Sequence, residues 1–208
     1  MVNRTWSHWL VCVGIIVLSG CAGKGERIDI LIPGGTTSGK IASLPGSGPK
    51  IAILPLDDQR PTQAHLGTRS HLWGGESYFD LPNGTVADAG TQALVDYLLR
   101  QGWNVSLAHT TGNDEADITI TGSILSLSID AKSGVMHTNL DAKNTLSFKI
   151  TNRSDNSVVR EHVSGTATDR VFWFDREDAQ HLITGLFETN FNKLLGDLKV
   201  EGRTIRLK

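Results

Sequence analysis

The strongest periodicity in the chain lies near its C-terminal end. Ala179, Leu182, Ile183, Leu186, Phe187, Phe191, Leu194 and Leu195 recur at helical spacing, and Asp175 with Asp178 three residues on can cap the start. A helix with so wide an apolar stripe must bury it against another layer. The segments before it supply that layer. Residues 142–150 place Ala142, Leu146, Phe148 and Ile150 on one parity between polar partners, with Asn144 the one polar member of the row. Residues 116–131 read as a strand with a defect. Ile118, Ile120, Gly122 and Ile124 share one parity; Leu125, Leu127, Ile129 and Ala131 share the other. One face cannot hold both sets, so a bulge or strong twist is expected near Ile124-Leu125. Ser133-Gly134 marks the expected turn, and residues 158–174 give a third strand of weaker pattern.

Upstream, residues 86–101 predict a first helix. Val86, Ala89, Ala93, Leu94, Tyr97 and Leu98 form its stripe, Thr85 and Asp88 a variant capping box, and Gly102 a C-terminal stop. Gly90 falls on the same face, where it either weakens the helix or marks close packing. Residues 50–56 (KIAILPL) read as a buried strand that Pro55 closes or kinks, and residues 103–107 as a strand leaving the helix. Residues 57–84 show no clear period and read as a long loop, a kind that is usually functional. The order β-α-β-β-β-β-α predicts an α+β domain over residues 50–208. Its expected form is a largely antiparallel sheet of four to five strands with two helices packed on one face, preceded by a flexible tether.

The N-terminus reads as an address. Arg4 precedes an apolar run of nine residues, 10–18 (LVCVGIIVL). A spanning helix needs about 20, so residues 1–20 read as a signal peptide. The run stops at Leu18-Ser19-Gly20-Cys21, which resembles the bacterial lipobox. That resemblance implies cleavage between Gly20 and Cys21 and acylation of the Cys21 thiolate, the best nucleophile available. Several acyl chains, at about 0.8 kcal/mol per buried CH₂, anchor far more firmly than one. Cys12 lies in the removed segment, so no free thiol remains for a disulfide, a thiolate metal site or cysteine catalysis. Ala22 after the cysteine favours the outer membrane by the same resemblance. Residues 21–49 are rich in Gly, Ser, Thr and Pro and read as a tether, with only residues 27–32 (RIDILI) able to form a strand. Residues 34–40 match GxxxxGK, but Ile41 stands where a P-loop needs Ser or Thr, and the following Pro and Gly forbid its helix. No nucleotide is expected. With 20 basic against 22 acidic residues, no nucleic acid is expected either.

The ordered set of motifs resembles the YajG family of bacterial outer-membrane lipoproteins. The features that carry it are the lipobox cysteine, Asp57-Asp58-Gln59-Arg60 after the first strand, and Leu98-Leu99-Arg100-Gln101-Gly102-Trp103 at the helix end. Residues 128–134 (SIDAKSG), residues 140–143 (LDAK) and a helix near Asp178-Ala179 complete it. An enlarged segment at residues 67–83 departs from the pattern. The resemblance implies location and fold and assigns no activity.

Candidate chemistry is sparse. No two mature histidines stand at HxxH, HxxxH or HExxH spacing, so no metal site and no cofactor are expected, although His65 and His71 share the long loop with Asp57 and Asp58. Neighbouring side chains on an extended chain point opposite ways, so Asp57 and Asp58 cannot easily form a carboxylate dyad; a salt bridge or turn cap between them and Arg60 is expected. The Gly-x-Ser-x-Gly signal of esterases is absent after residue 21. Trp73, Tyr78 and Phe79 in the long loop and the Phe172-Trp173-Phe174 run suit an interaction surface, since aromatic residues anchor interfaces. The expectation is a non-enzymatic, lipid-anchored periplasmic domain that meets the membrane through Cys21 and binds another envelope protein or lipid. Its candidate surface is Asp57, Asp58, Arg60, Trp73, Tyr78, Phe79 and Trp173. An accessory lipoprotein of an envelope lipid-transport complex is the alternative, and a small hydrolase using Asp57, Asp58 or His71 a more remote one.

Overall fold

The structure, a computed structural model, describes residues 25–32, 48–108 and 116–208. The signal peptide, the cleavage pair Gly20 and Cys21, the glycine-rich run at 34–40, most of the expected tether and His109 lie outside the described residues.

Three long antiparallel strands form the backbone of the molecule: β7 (Ile118–Gly134), β8 (His137–Asn152) and β9 (Val158–Val171). The expected defect is present. The β7–β8 register slips between Ile124 and Ser126, so Ile118, Ile120 and Ile124 are buried before the slip and Leu127, Ile129 and Ala131 after it. One extra residue moves the buried set from one parity to the other and keeps a single face apolar. Helix α1 (Val86–Arg100) starts at Thr85, whose hydroxyl accepts from the Asp88 N–H at 3.1 Å while the Asp88 carboxylate accepts from the Thr85 N–H at 3.0 Å. Gly90 marks close packing: a Cβ there would come within 2.8 Å of the Ile124 side chain, at the bulge. Helix α2 (Arg176–Asp197) lies on β8 and β9 and buries Ala179, Ile183, Leu186, Phe187, Asn190, Phe191 and Leu194. The helices meet where the Tyr97 and Phe191 rings pack at 5.3 Å and Arg100 pairs with Glu188 at 3.2 Å.

The sheet corrects the expectation of four to five largely antiparallel strands. It has nine strands and is mixed. The additional strands are β1 (Glu26–Asp29), β3 (Asp57–Asp58), β4 (Gly67–Ser70) and β5 (Glu76–Asp80). With β2 (Ile51–Ile53) and β6 (Val105–Leu107) they flank the long ribbon. The pairs β1–β5, β2–β6, β2–β7, β3–β7 and β4–β7 are all parallel. The segment 57–84, expected as a loop, therefore carries three strands, and β4–β5 is an antiparallel hairpin within it. Strand β1 overlaps the start of RIDILI, the one stretch of residues 21–49 expected to be able to form a strand, and joins the sheet beside β5. Gly67 lets β4 cross β7 closely; a Cβ there would sit 1.8 Å from the Ile129 carbonyl oxygen. A C-terminal hairpin, β10 (Leu198–Glu201) with β11 (Thr204–Leu207), follows α2. Among the described residues no helix is long and apolar enough to cross a membrane.

Candidate functional site

One end of the ribbon exposes what a monomer normally covers. Three separate chain segments meet there because the register brings them together. The β4–β5 loop supplies Leu72 and Trp73; it is closed by the His71 N–H on the Gly75 carbonyl at 3.1 Å, with Gly74 and Gly75 in left-handed conformations. The β7–β8 hairpin closes at Gly134 opposite His137, which leaves Val135 and Met136 at its tip. Strand β9 ends with Val171 opposite Thr138, so Phe172 and Trp173 emerge beside the same tip. Parallel pairing of Ser70 with Lys132 sets the β4–β5 loop alongside it.

The exposures are large: Trp73 91%, Trp173 81%, Val135 70% and Met136 68%. Six of the twelve exposed large hydrophobic residues among the described ones lie here, the others being Leu72 and Phe172. They rim a groove of about 390 Å³. The rings are held in place. Phe172 and Trp173 meet edge to face at 5.5 Å, while Phe174 turns inward on Phe79 at 5.9 Å and carries the Arg69 guanidinium over its face at 4.1 Å. Burial pushes the Arg69 pKa down, with Glu26 opposing. His71 Nε2 lies 2.7 Å from Ser77 Oγ. Scattered exposed apolar residues are ordinary; a cluster drawn from three segments makes this end the candidate interaction surface.

Of the residues expected to form an interaction surface, Trp73 and Trp173 come together at this pole, and the others do not. Phe79 is fully buried in the core, which corrects its assignment to a surface. Tyr78, its neighbour on the opposite parity, stacks on His65 at 4.4 Å. Asp57 accepts from the Gln59 amide at 2.7 Å. Asp58 and Arg60 form the expected ion pair, bidentate through Arg60 Nε and Nη2 at 2.9 Å each. Arg60 is almost fully buried and also donates to the His65 carbonyl at 3.3 Å, so this pair fastens β3 to the segment leading into β4. Burial raises the Asp58 pKa, but the hydrogen bonds and charge of Arg60 outweigh it and hold the carboxyl below the usual range. His65 Nδ1 is 2.8 Å from Asp80 Oδ1. His65 and His71 therefore have separate partners. Among the described residues no group of three or more His, Cys, Asp or Glu could hold a metal ion.

The sequence reading missed Val135 and Met136 as site residues. Their signal was present: an aliphatic pair follows Ser133-Gly134, where a hairpin tip ordinarily carries Asn, Asp or Gly.

No family model matches the chain, and no curated protein matches it. The resemblance to the YajG family thus rests on sequence motifs alone. Solved structures do match. Protein XCC0632 from Xanthomonas campestris, of the DUF330 family, is similar over 82% of this chain and 92% of its own, with a TM-score of 0.50 and 11% identity. The PelC dodecamer from Paraburkholderia phytofirmans is 16% identical over 72% of this chain and 92% of its own, at a TM-score of 0.41. Lipoprotein GNA1162 from Neisseria meningitidis is 10% identical over 71% of this chain and 99% of its own, at 0.37. The first likeness is one of fold alone; the other two are too distant to carry an argument.

Proposed function

We propose that the protein is a non-enzymatic bacterial envelope lipoprotein, anchored through acylated Cys21 to the outer membrane on its periplasmic side, that engages a second envelope component through its apolar pole. The observation that carries the reading is the convergence of Leu72, Trp73, Val135, Met136, Phe172 and Trp173 from three chain segments on one end. Groups that could serve catalysis are occupied otherwise: Asp58 holds Arg60, His65 meets Asp80 and His71 meets Ser77. The lipobox sequence and the YajG resemblance support the address.

The test is mass spectrometry on the native protein extracted from its membranes in mild detergent. An acyl mass on the Cys21 peptide is expected, together with a co-purifying protein or lipid that is lost from a Trp73→Ala/Trp173→Ala variant. An unmodified Cys21 would remove the anchor. A component retained in full by that variant would remove the pole from the reading.

A further inference from the structure

The apolar pole and the point where the chain enters the fold coincide. The Gly25 N–H donates to the Glu76 carbonyl at 2.8 Å, and β1 runs parallel to β5 from Glu26 beside Ser77. Glu76 directly follows the loop that carries Leu72 and Trp73. Both β1 and β5 run away from the pole, so Gly25 is the end of β1 nearest to it. Cys21 stands four residues earlier, a length of chain that reaches at most about 14 Å. Acyl chains on Cys21 would therefore enter a bilayer close beside Trp73.

We propose that this pole is the seat of the domain on the membrane. Trp73, Val135, Met136, Phe172 and Trp173 enter the headgroup–acyl boundary of the leaflet that holds the acyl chains of Cys21. The inference rests on the lipidation proposed above and names the component that the pole engages. Three observations select a bilayer over a protein partner or a second copy. Trp side chains, one end apolar and the other polar, concentrate at the membrane interface. The hairpin tip presents Val135 and Met136 although Met136 has a φ of 60°, a strained conformation for a side chain whose natural replacement is Gly. Two aliphatic side chains at such a tip suit shallow insertion. Finally, the short connection to Cys21 presses this end, and no other, against the surface. The opposite end, with Trp103 next to β6 and Ile118 opening β7, is roughly 50 Å away along the 17-residue strand. The domain would then stand upright on the leaflet.

Mature protein has three tryptophans, Trp73, Trp103 and Trp173. The experiment reconstitutes the full lipidated chain into phosphatidylethanolamine–phosphatidylglycerol vesicles, with and without brominated acyl chains. Variants retain one tryptophan at a time, with Phe at the other two positions, and the Cys21 peptide is weighed in parallel. Trp73 and Trp173 are expected to lose most of their emission to brominated lipid, while Trp103 keeps its own and reports that the fold is intact. An acylated protein in which Trp73 and Trp173 are quenched no more than Trp103 overturns the proposal. So does shielding of the two residues before lipid is added, whether it depends on protein concentration, which identifies a second copy, or on a co-purified protein. If Cys21 carries no acyl chain, the lipoprotein reading fails; the seat then stands only if the unacylated chain still binds the vesicles with Trp73 and Trp173 quenched, and falls if it does not.

Discussion

Asn144 and Asn152 sit on the same parity of β8, and both are fully buried, yet their situations are opposite. Asn152 acts as a strand partner for the C-terminal hairpin. Its Nδ2 donates to the Ile205 carbonyl at 2.9 Å and its Oδ1 accepts the Ile205 N–H at 2.8 Å. Removing the amide leaves two buried backbone groups unpaired, so Asn152→Ala should cost about 2–3 kcal/mol in urea unfolding and free β10–β11 to exchange amide hydrogens faster. A variant of wild-type stability would show that the hairpin is held by other contacts. Asn144 has neither side-chain polar atom hydrogen-bonded among the described residues, although its backbone carbonyl accepts from Asn190 Nδ2 at 3.4 Å. Asn144→Leu keeps that carbonyl and removes the unpaired amide. It should raise stability by about 1 kcal/mol, and a loss instead would mean that the amide is satisfied in solution. The alternation of β8 singles out Asn144 in the sequence, because one polar residue interrupts an apolar row. It says nothing of Asn152, whose partner lies 53 residues away.

At the level of elements, length decided what could be read. The long strands and both helices contain enough residues to show a period, so their positions, the bulge at Ile124-Leu125 and the Thr85–Asp88 box follow from the sequence. Strands β1, β3, β4 and β5 have two to five residues each, too few for a period; β2 is legible as an apolar run, but like β1 and β3 it is placed in the sheet by parallel pairing with a partner distant in sequence. Local pattern carries no trace of such pairing. The β7–β8 turn illustrates the same point at finer scale: Ser133-Gly134 is the local turn signal, but antiparallel pairing continues through Gly134 and moves the tip to Val135-Met136. That displacement is why Val135 and Met136, two of the six residues of the apolar pole, escaped the sequence reading, while its tryptophans stood out among the aromatic residues. At the tip, stability and the proposed membrane contact can be separated. Met136→Gly relieves the left-handed conformation and should raise stability by about 0.5 kcal/mol after the entropy of glycine is charged against it. Vesicle binding by the same variant should weaken. If thermal unfolding shows a loss of stability, Met136 packs at the tip more firmly than its exposure implies.

For the molecule as a whole, the apolar pole is left open at one end of the ribbon, and away from it charge pairs fasten short segments of the chain. Arg60 and Asp58 join β3 to the chain ahead of β4, while Arg206 on β11 pairs with Asp155 in the β8–β9 turn. The Asp155 carboxyl is pulled down to about 2 by hydrogen bonds from Ser157 and Arg206, with the charge of Arg206 adding to them. Both carboxyls have folded pKa values below the ordinary 3.8. Each therefore contributes stability that is fully present above about pH 4 and is lost as the pH falls through its folded value, toward pH 2 for Asp155. Protonating Asp58 is the more damaging event, because Arg60 is buried and keeps its charge with no counter-ion. The melting temperature is thus expected to hold between pH 7 and 5 and to fall between pH 4 and 2. Asp58→Asn should cost about 3 kcal/mol at pH 7, since it leaves the same buried guanidinium unpaired, and should flatten the acid limb of the profile. An acid limb as steep in Asp58→Asn as in the wild type would assign acid sensitivity to other carboxylates.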